Sequence, residues 1–142
     1  PCIKDIREKK WFHNELKKMC KRHNKNYYKK YKHWCDKYFY LPHRKEPRGI
    51  GGIFFDYKKD NWIKDFNFVR ELGITFQIIF KSIIERKKNK KWSSFQKELQ
   101  YIKRGRYAEF NLIYDRGTKF GLQTSGNIDA ILMSLPPVTK WK

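Results

Sequence analysis

Acidic residues are scarce in this 142-residue chain, 14 against 34 lysines and arginines, which leaves a formal net charge of +20. Alanine and valine occur only twice each, at Ala108, Ala130, Val69 and Val138, while there are 25 lysines and 14 isoleucines. Lysine, isoleucine and asparagine are the products of A/T-rich codons. Genomic drift therefore accounts for the basic excess as readily as selection for a polyanionic partner, and both causes stay open. No run approaches the ~20 apolar residues that span a bilayer, the longest being broken at Lys81 and Arg86. The first ten residues carry Lys4, Arg7, Lys9 and Lys10 with no apolar run behind them, so no secretory leader is expected. Cysteine is limited to Cys2, Cys20 and Cys35, with no C-x-x-C pair. That pattern excludes a disulfide framework and a zinc ribbon and predicts a reduced, cytoplasmic protein. A G-x-x-x-x-G-K-[ST] phosphate loop is missing too.

What the chain does have is aromatic side chains: 11 Phe, 9 Tyr and 5 Trp are ample for a core. Phe12, Leu16, Met19 and Cys20 predict a helix from Trp11 to Cys20. Tyr27, Tyr31, Trp34, Cys35 and Tyr38 form the stripe of a second helix with one buried face, ended by Leu41-Pro42. Pro42 to Gly52 reads as a loop running into a short strand at Ile53-Phe54-Phe55. Phe68, Leu72, Phe76, Phe80 and Ile83 predict helix between Asp60 and Arg86, with Gly73 a candidate break. Ser93-x-x-Gln96 has the form of a capping box opening a helix through Phe95, Leu99 and Ile102. Beyond it, the alternation through Tyr107 to Tyr114, a turn at Asp115-Arg116-Gly117, the stretch Phe120 to Thr124, a turn at Ser125-Gly126-Asn127 and the stretch Ile128 to Leu135 predict a three-stranded antiparallel meander. Helices followed by strands give an α+β class, an antiparallel sheet flanked by helices.

Few residues carry chemistry on spacing alone. Gly49, Gly51 and Gly52 precede the apolar strand candidate instead of following one, so they are not a dinucleotide loop. Beside Arg44 and Arg48 they form a place where guanidinium forks can close on a carboxylated ligand, or equally a strand-initiating turn with solvated arginines. His13, His23, His33 and His43 recur at ten-residue intervals, which sets no two on one helix face. His23 and His33 are expected at the surface, and Cys35 as an inert buried thiol.

Longer motifs go further. Trp34-Cys35-Asp36-Lys37-Tyr38-Phe39-Tyr40-Leu41, then His43-Arg44-Lys45-Glu46-Pro47-Arg48-Gly49-Ile50-Gly51-Gly52-Ile53-Phe54-Phe55-Asp56, resembles the oxygen-dependent coproporphyrinogen III oxidase family. Arg104 to Tyr107, Glu109 to Leu112, Tyr114 to Thr118, Phe120 to Leu122 and Ile131 to Pro137 resemble it in the same order. The resemblance implies an enzyme of haem synthesis that oxidatively decarboxylates the ring A and B propionates of coproporphyrinogen III to vinyl groups. Molecular oxygen is the co-substrate, no organic cofactor is used, and a divalent metal is possible. It also implies a broad antiparallel sheet between helices and a homodimer formed through Tyr107 to Trp141.

Carried onto this sequence, the resemblance makes Arg44 and Arg48 ligands of substrate carboxylates. Ser125, Gly126 and Asn127 become a substrate turn in which Asn127 replaces the usual arginine, losing a bidentate donor. His13 and His43 become candidate metal ligands. Pro1 matches a proline that follows a pyrrole-binding aspartate, so residues 1–142 are expected to be a partial domain without its N-terminal half and extreme C-terminal tail. The general-acid histidine belongs to that half, so no catalytic residue is expected within this chain, and the chain alone is expected to be inactive. Two other readings compete: a basic nucleic-acid-binding module, for which lysines interleave with aromatics over Asn26 to Tyr40, and a non-catalytic protein keeping only a dimer surface.

Overall fold

The computed structural model describes residues 4–59 and 61–141; Pro1 and Cys2, and the expected helix start at Asp60, lie outside the described residues. The chain divides into two compact units, one of residues 4–38 and 50–91, the other of residues 39–49 and 92–141.

In the first unit, α1 (Ile6–His23) starts where the Asp5 side chain accepts the Glu8 N–H at 3.0 Å and ends on Lys21, Arg22 and His23, charges that suit each end of the helix dipole. Helix α2 (Tyr27–Tyr38) follows, and α3 (Trp62–Lys87) is capped by Asn61, whose side chain accepts the Lys64 N–H at 3.0 Å. Gly73 does not break α3: a glycine costs about 1 kcal/mol relative to alanine, too little to interrupt a 26-residue helix docked along its length. Met19, Cys20, Tyr31 and Phe68 form the core, enclosed by Tyr27, Tyr28, Ile53, Phe55 and Leu72. Residues 51–59 pair in no sheet, with Gly51 and Tyr57 at positive φ, a correction to the strand expected at Ile53-Phe54-Phe55. Their apolar side chains pack on helices instead: the Phe54 N–H donates to the Tyr31 carbonyl at 3.1 Å, and the Phe55 ring lies 5.0 Å from Tyr31 and 5.3 Å from Phe68. Gly51 is required by geometry, with φ of +72° and a hypothetical Cβ only 3.0 Å from Asp36 Oδ1.

The second unit holds an antiparallel pair, β1 (Tyr40–Leu41) and β2 (Glu46–Pro47), in the register Tyr40 to Pro47 and Leu41 to Glu46. A 3-10 turn, Pro42–Arg44, joins them, closed by Lys45 in the left-handed region. Helix α4 (Ser94–Ile113) opens with the expected capping box: Ser93 Oγ accepts the Gln96 N–H at 3.2 Å, and Gln96 Oε1 accepts the Ser93 N–H at 2.8 Å. It continues through the first expected strand. Helices α5 (Arg116–Gln123) and α6 (Ile128–Leu132) replace the other two.

The three-stranded meander is therefore overturned, while the α+β class holds, as a mostly helical chain with a small antiparallel sheet. Its physical cause is visible at each turn signal. Asp115 is not a hairpin corner but the N-cap of α5, accepting the Thr118 N–H at 2.7 Å, and Asn127 caps α6 through the Ala130 N–H at 3.1 Å. Tyr107, Phe110 and Tyr114 fall at i, i+3 and i+7, so the same residues that alternate also share a helix face.

Candidate carboxylate-binding site

Glu109 is the centre of a charge cluster in the second unit. It sits on α4 with its side chain 7% exposed, and the β1–β2 hairpin lays Arg44 across it. Arg44 donates from Nε to Oε2 at 3.1 Å and from its terminal nitrogen to Oε1 at 2.6 Å, a bidentate fork on a carboxylate. His43 Nε2 lies 2.8 Å from Glu109 Oε2 and its Nδ1 lies 2.8 Å from the Tyr114 hydroxyl. Arg106, one helical turn before Glu109, reaches Glu109 Oε1 at 3.4 Å and Glu46 Oε1 at 2.5 Å, and Lys103 donates to Glu46 Oε2 at 2.7 Å. Arg48 spreads its guanidinium over three rings, 4.1 Å from the Phe39 centroid and 5.0 Å from those of Tyr107 and Phe110, while its N–H donates to the Phe39 carbonyl. Three cationic side chains, Arg44, Arg106 and Lys103, thus share two carboxylates, with Arg48 held over the rings, a balance that favours a further anion.

The electrostatics follow from these contacts. The Arg44 hydrogen bond, then that of His43, holds the Glu109 carboxyl below its ordinary value of 4.5 against the cost of burial. Glu46 is lowered likewise, chiefly by the Lys103 hydrogen bond and then by Arg106. Arg44 is raised by the Glu109 carboxylate. Depressed carboxylates bind protons more weakly in the folded than in the unfolded chain, so their stabilisation is complete above about pH 4.5 and is lost as pH falls through the folded values. Chemical denaturation of this unit is expected to show a flat stability between pH 5 and 7 from these two groups and a steep fall below pH 4, shallower in Glu46→Gln.

The remaining expected site residues sit elsewhere. His13, in the first unit, has Nε2 3.0 Å from the Ile50 carbonyl and Nδ1 3.2 Å from the Tyr28 hydroxyl. A carbonyl can only accept, so Nε2 carries the proton and Nδ1 receives the tyrosine's. Burial, above all, lowers its pKa from the ordinary 6.5. Both nitrogens of His13 and of His43 are thus engaged, and among the described residues no three His, Cys, Asp or Glu side chains converge as a metal site. That donor set does not fit a metal by itself. Ser125 adopts a φ of +56° and, with Gly126 and Asn127, forms the corner between α5 and α6; the Gly126 N–H donates to the Gly121 carbonyl at 3.0 Å. His33 is exposed as expected. His23 is only partly at the surface: its side chain is 18% exposed and hydrogen-bonds Glu71, beside the Phe68 ring. Cys35 is buried as expected, and burial pushes the core thiol of Cys20 up to about 11.

Sequence reasoning missed Glu109, Glu46, Arg106, Lys103 and Tyr114. The signal for two of them was present: Arg106-x-x-Glu109 is an i, i+3 ion pair as soon as α4 is allowed to run on past Ile102. The aromatic face of α2, which suggested base stacking, is packed inside the first unit, Tyr27 and Tyr31 against Phe68 and Tyr38 against Phe54.

The fold and site are those of an α+β chain whose hairpin arginine clamps an internal carboxylate beside a second, ring-held arginine. Known proteins give its family. The family model described as coproporphyrinogen III oxidase matches residues 1–142, and the chain belongs to that family. It is 53% identical over 131 residues to an oxygen-dependent coproporphyrinogen-III oxidase of Rickettsia bellii (strain OSU 85-389), covering 92% of this chain and 47% of that protein. To the protein of the same name from Rickettsia akari (strain Hartford) it is 50% identical over 142 residues, covering 99% of this chain and 51% of the relative. The chain thus spans about half the length of the curated relatives it matches.

Proposed function

We propose that the chain is part of an oxygen-dependent coproporphyrinogen III oxidase of haem synthesis, supplying carboxylate-binding residues to a site completed by a further half-domain. What supports this reading is the match of all 142 residues to one family, together with the Arg44 fork already holding a carboxylate. The reaction converts each of two propionates, –CH2–CH2–COOH, with one O2 to –CH=CH2, CO2 and H2O2; the two electrons and two protons go to oxygen. Oxygen is the co-substrate and no organic cofactor is needed. The enzyme works in the cytoplasm.

Within that reading Glu109 fixes the plane of the Arg44 guanidinium, and a propionate approaches the exposed edge of that side chain, which is 30% accessible. Arg48, braced by Phe39, Tyr107 and Phe110, holds a second carboxylate. The corner at Ser125, Gly126 and Asn127 contributes backbone donors, with Asn127 providing an amide where the family has a guanidinium. The general-acid histidine and the aspartate that orients the pyrrole N–H groups come from the complementing half. The assembled enzyme is a homodimer through Tyr107 to Trp141.

The test is substrate saturation in the chain paired with its complementing half. Arg44→Ala and Arg48→Ala are each expected to weaken coproporphyrinogen binding by roughly 1.5–3 kcal/mol, the worth of one charged hydrogen bond. In Arg44→Ala, Glu109 keeps His43 and Arg106 as partners, and unchanged circular dichroism separates lost binding from lost fold. Unchanged KM and kcat in both variants would contradict the assignment.

A further inference from the structure

Helix α3 is apolar on two faces. One carries Asp65, Phe68, Leu72 and Ile79 and faces the core of its unit. The other, about a quarter-turn round the axis, carries Trp62, Phe66, Val69, Phe76, Phe80 and Ile84, which are 77%, 51%, 50%, 53%, 53% and 44% exposed. They follow helical spacing over six turns, and their rings are already ordered against one another, Trp62 on Phe66 at 5.4 Å and Phe76 stacked on Phe80 at 5.8 Å between centroids. Gly73 lies in the middle of this stripe with nothing within 4 Å of the position a Cβ would take, a notch where another backbone can approach closely. A helix hydrophobic on two faces is a buried helix, and a contiguous exposed patch of this kind marks an interaction surface.

Two observations say what covers it. The Rickettsia relatives match this chain at 50–53% identity but extend to about twice its length, so each carries about as many residues again with no counterpart here. A second copy of this chain is a poor occupant of this face, because Arg70 and Lys81 border the stripe and would meet like charges from the same face of the copy. We propose that the Trp62–Ile84 stripe of α3 is the surface on which the complementing half of the oxidase polypeptide packs. This rests on the oxidase reading only for the identity of the partner.

The experiment mixes the 142-residue chain with a separate chain carrying the part of the Rickettsia bellii relative that has no counterpart in it, followed by sedimentation velocity and hydrogen–deuterium exchange. A one-to-one complex is expected, with α3 amides exchanging at least tenfold more slowly than in the chain alone. Phe66→Ser/Phe76→Ser/Phe80→Ser, which alters only exposed positions, is expected to keep its helix content and melting profile while weakening association at least a hundredfold. Equal affinity in that variant would overturn the proposal, as would a stripe protected by self-association of the chain or by phosphatidylcholine vesicles without a complex. A complex through α3 that turns over no coproporphyrinogen supports this surface and contradicts the oxidase reading; turnover unchanged by the triple variant does the reverse.

Discussion

Glu109→Ala is expected to cost about 3–5 kcal/mol of folding stability, the largest effect of any single substitution in the second unit. The Glu109 side chain is 7% exposed and Arg106 is 9% exposed, so its removal strips a buried guanidinium of one carboxylate, frees the Arg44 fork and leaves His43 with Tyr114 alone of its two named partners. A loss of that size is a large part of the 5–15 kcal/mol that ordinarily separates folded from unfolded domains. Glu109→Gln separates charge from shape: it retains one acceptor for Arg44 and is expected to lose less than the alanine variant. Urea denaturation at pH 7 of both proteins decides the matter. A loss below about 1 kcal/mol in the alanine variant would place Glu109 among ordinary surface ion pairs and remove it as the organiser of the site.

The helices of the first unit were legible from their apolar spacing, Phe12, Leu16, Met19 and Cys20 in α1, Tyr27, Tyr31 and Cys35 in α2, and Phe68, Leu72, Phe76 and Phe80 in α3. The same rules misread residues 107–135. There, short alternating stretches separated by Asp-, Gly- and Asn-containing turns satisfy strand and hairpin patterns, yet Asp115 and Asn127 serve equally well as N-caps, and that is how the fold uses them. The cost of that error fell on the site. With Glu109 placed on a strand, its ion pair with Arg106 and its bond to Arg44 had no geometric reason to exist, so Arg44 looked open to a ligand and the carboxylate it already holds went unnoticed. Arg44 and Arg48 themselves were found through a motif, since spacing alone could not distinguish a ligand-closing loop from a strand-initiating turn.

Alone, the chain is expected to bind carboxylates without accelerating decarboxylation, because holding propionates does not orient the reacting pyrrole, and binding that is equal in ground and transition states gives no rate. Oriented reactive groups are worth roughly 7–11 kcal/mol of barrier, so activity is expected to be all or none with respect to the half that carries them. The decisive measurement is aerobic conversion of coproporphyrinogen III, followed by protoporphyrin fluorescence after oxidation and by oxygen uptake, for the 142-residue chain with and without the complementing half. Turnover in the pair, at least a thousandfold above the chain alone and consuming two O2 per protoporphyrinogen, is the predicted result. Comparable turnover by the chain alone, or none in a pair shown to associate, would contradict it.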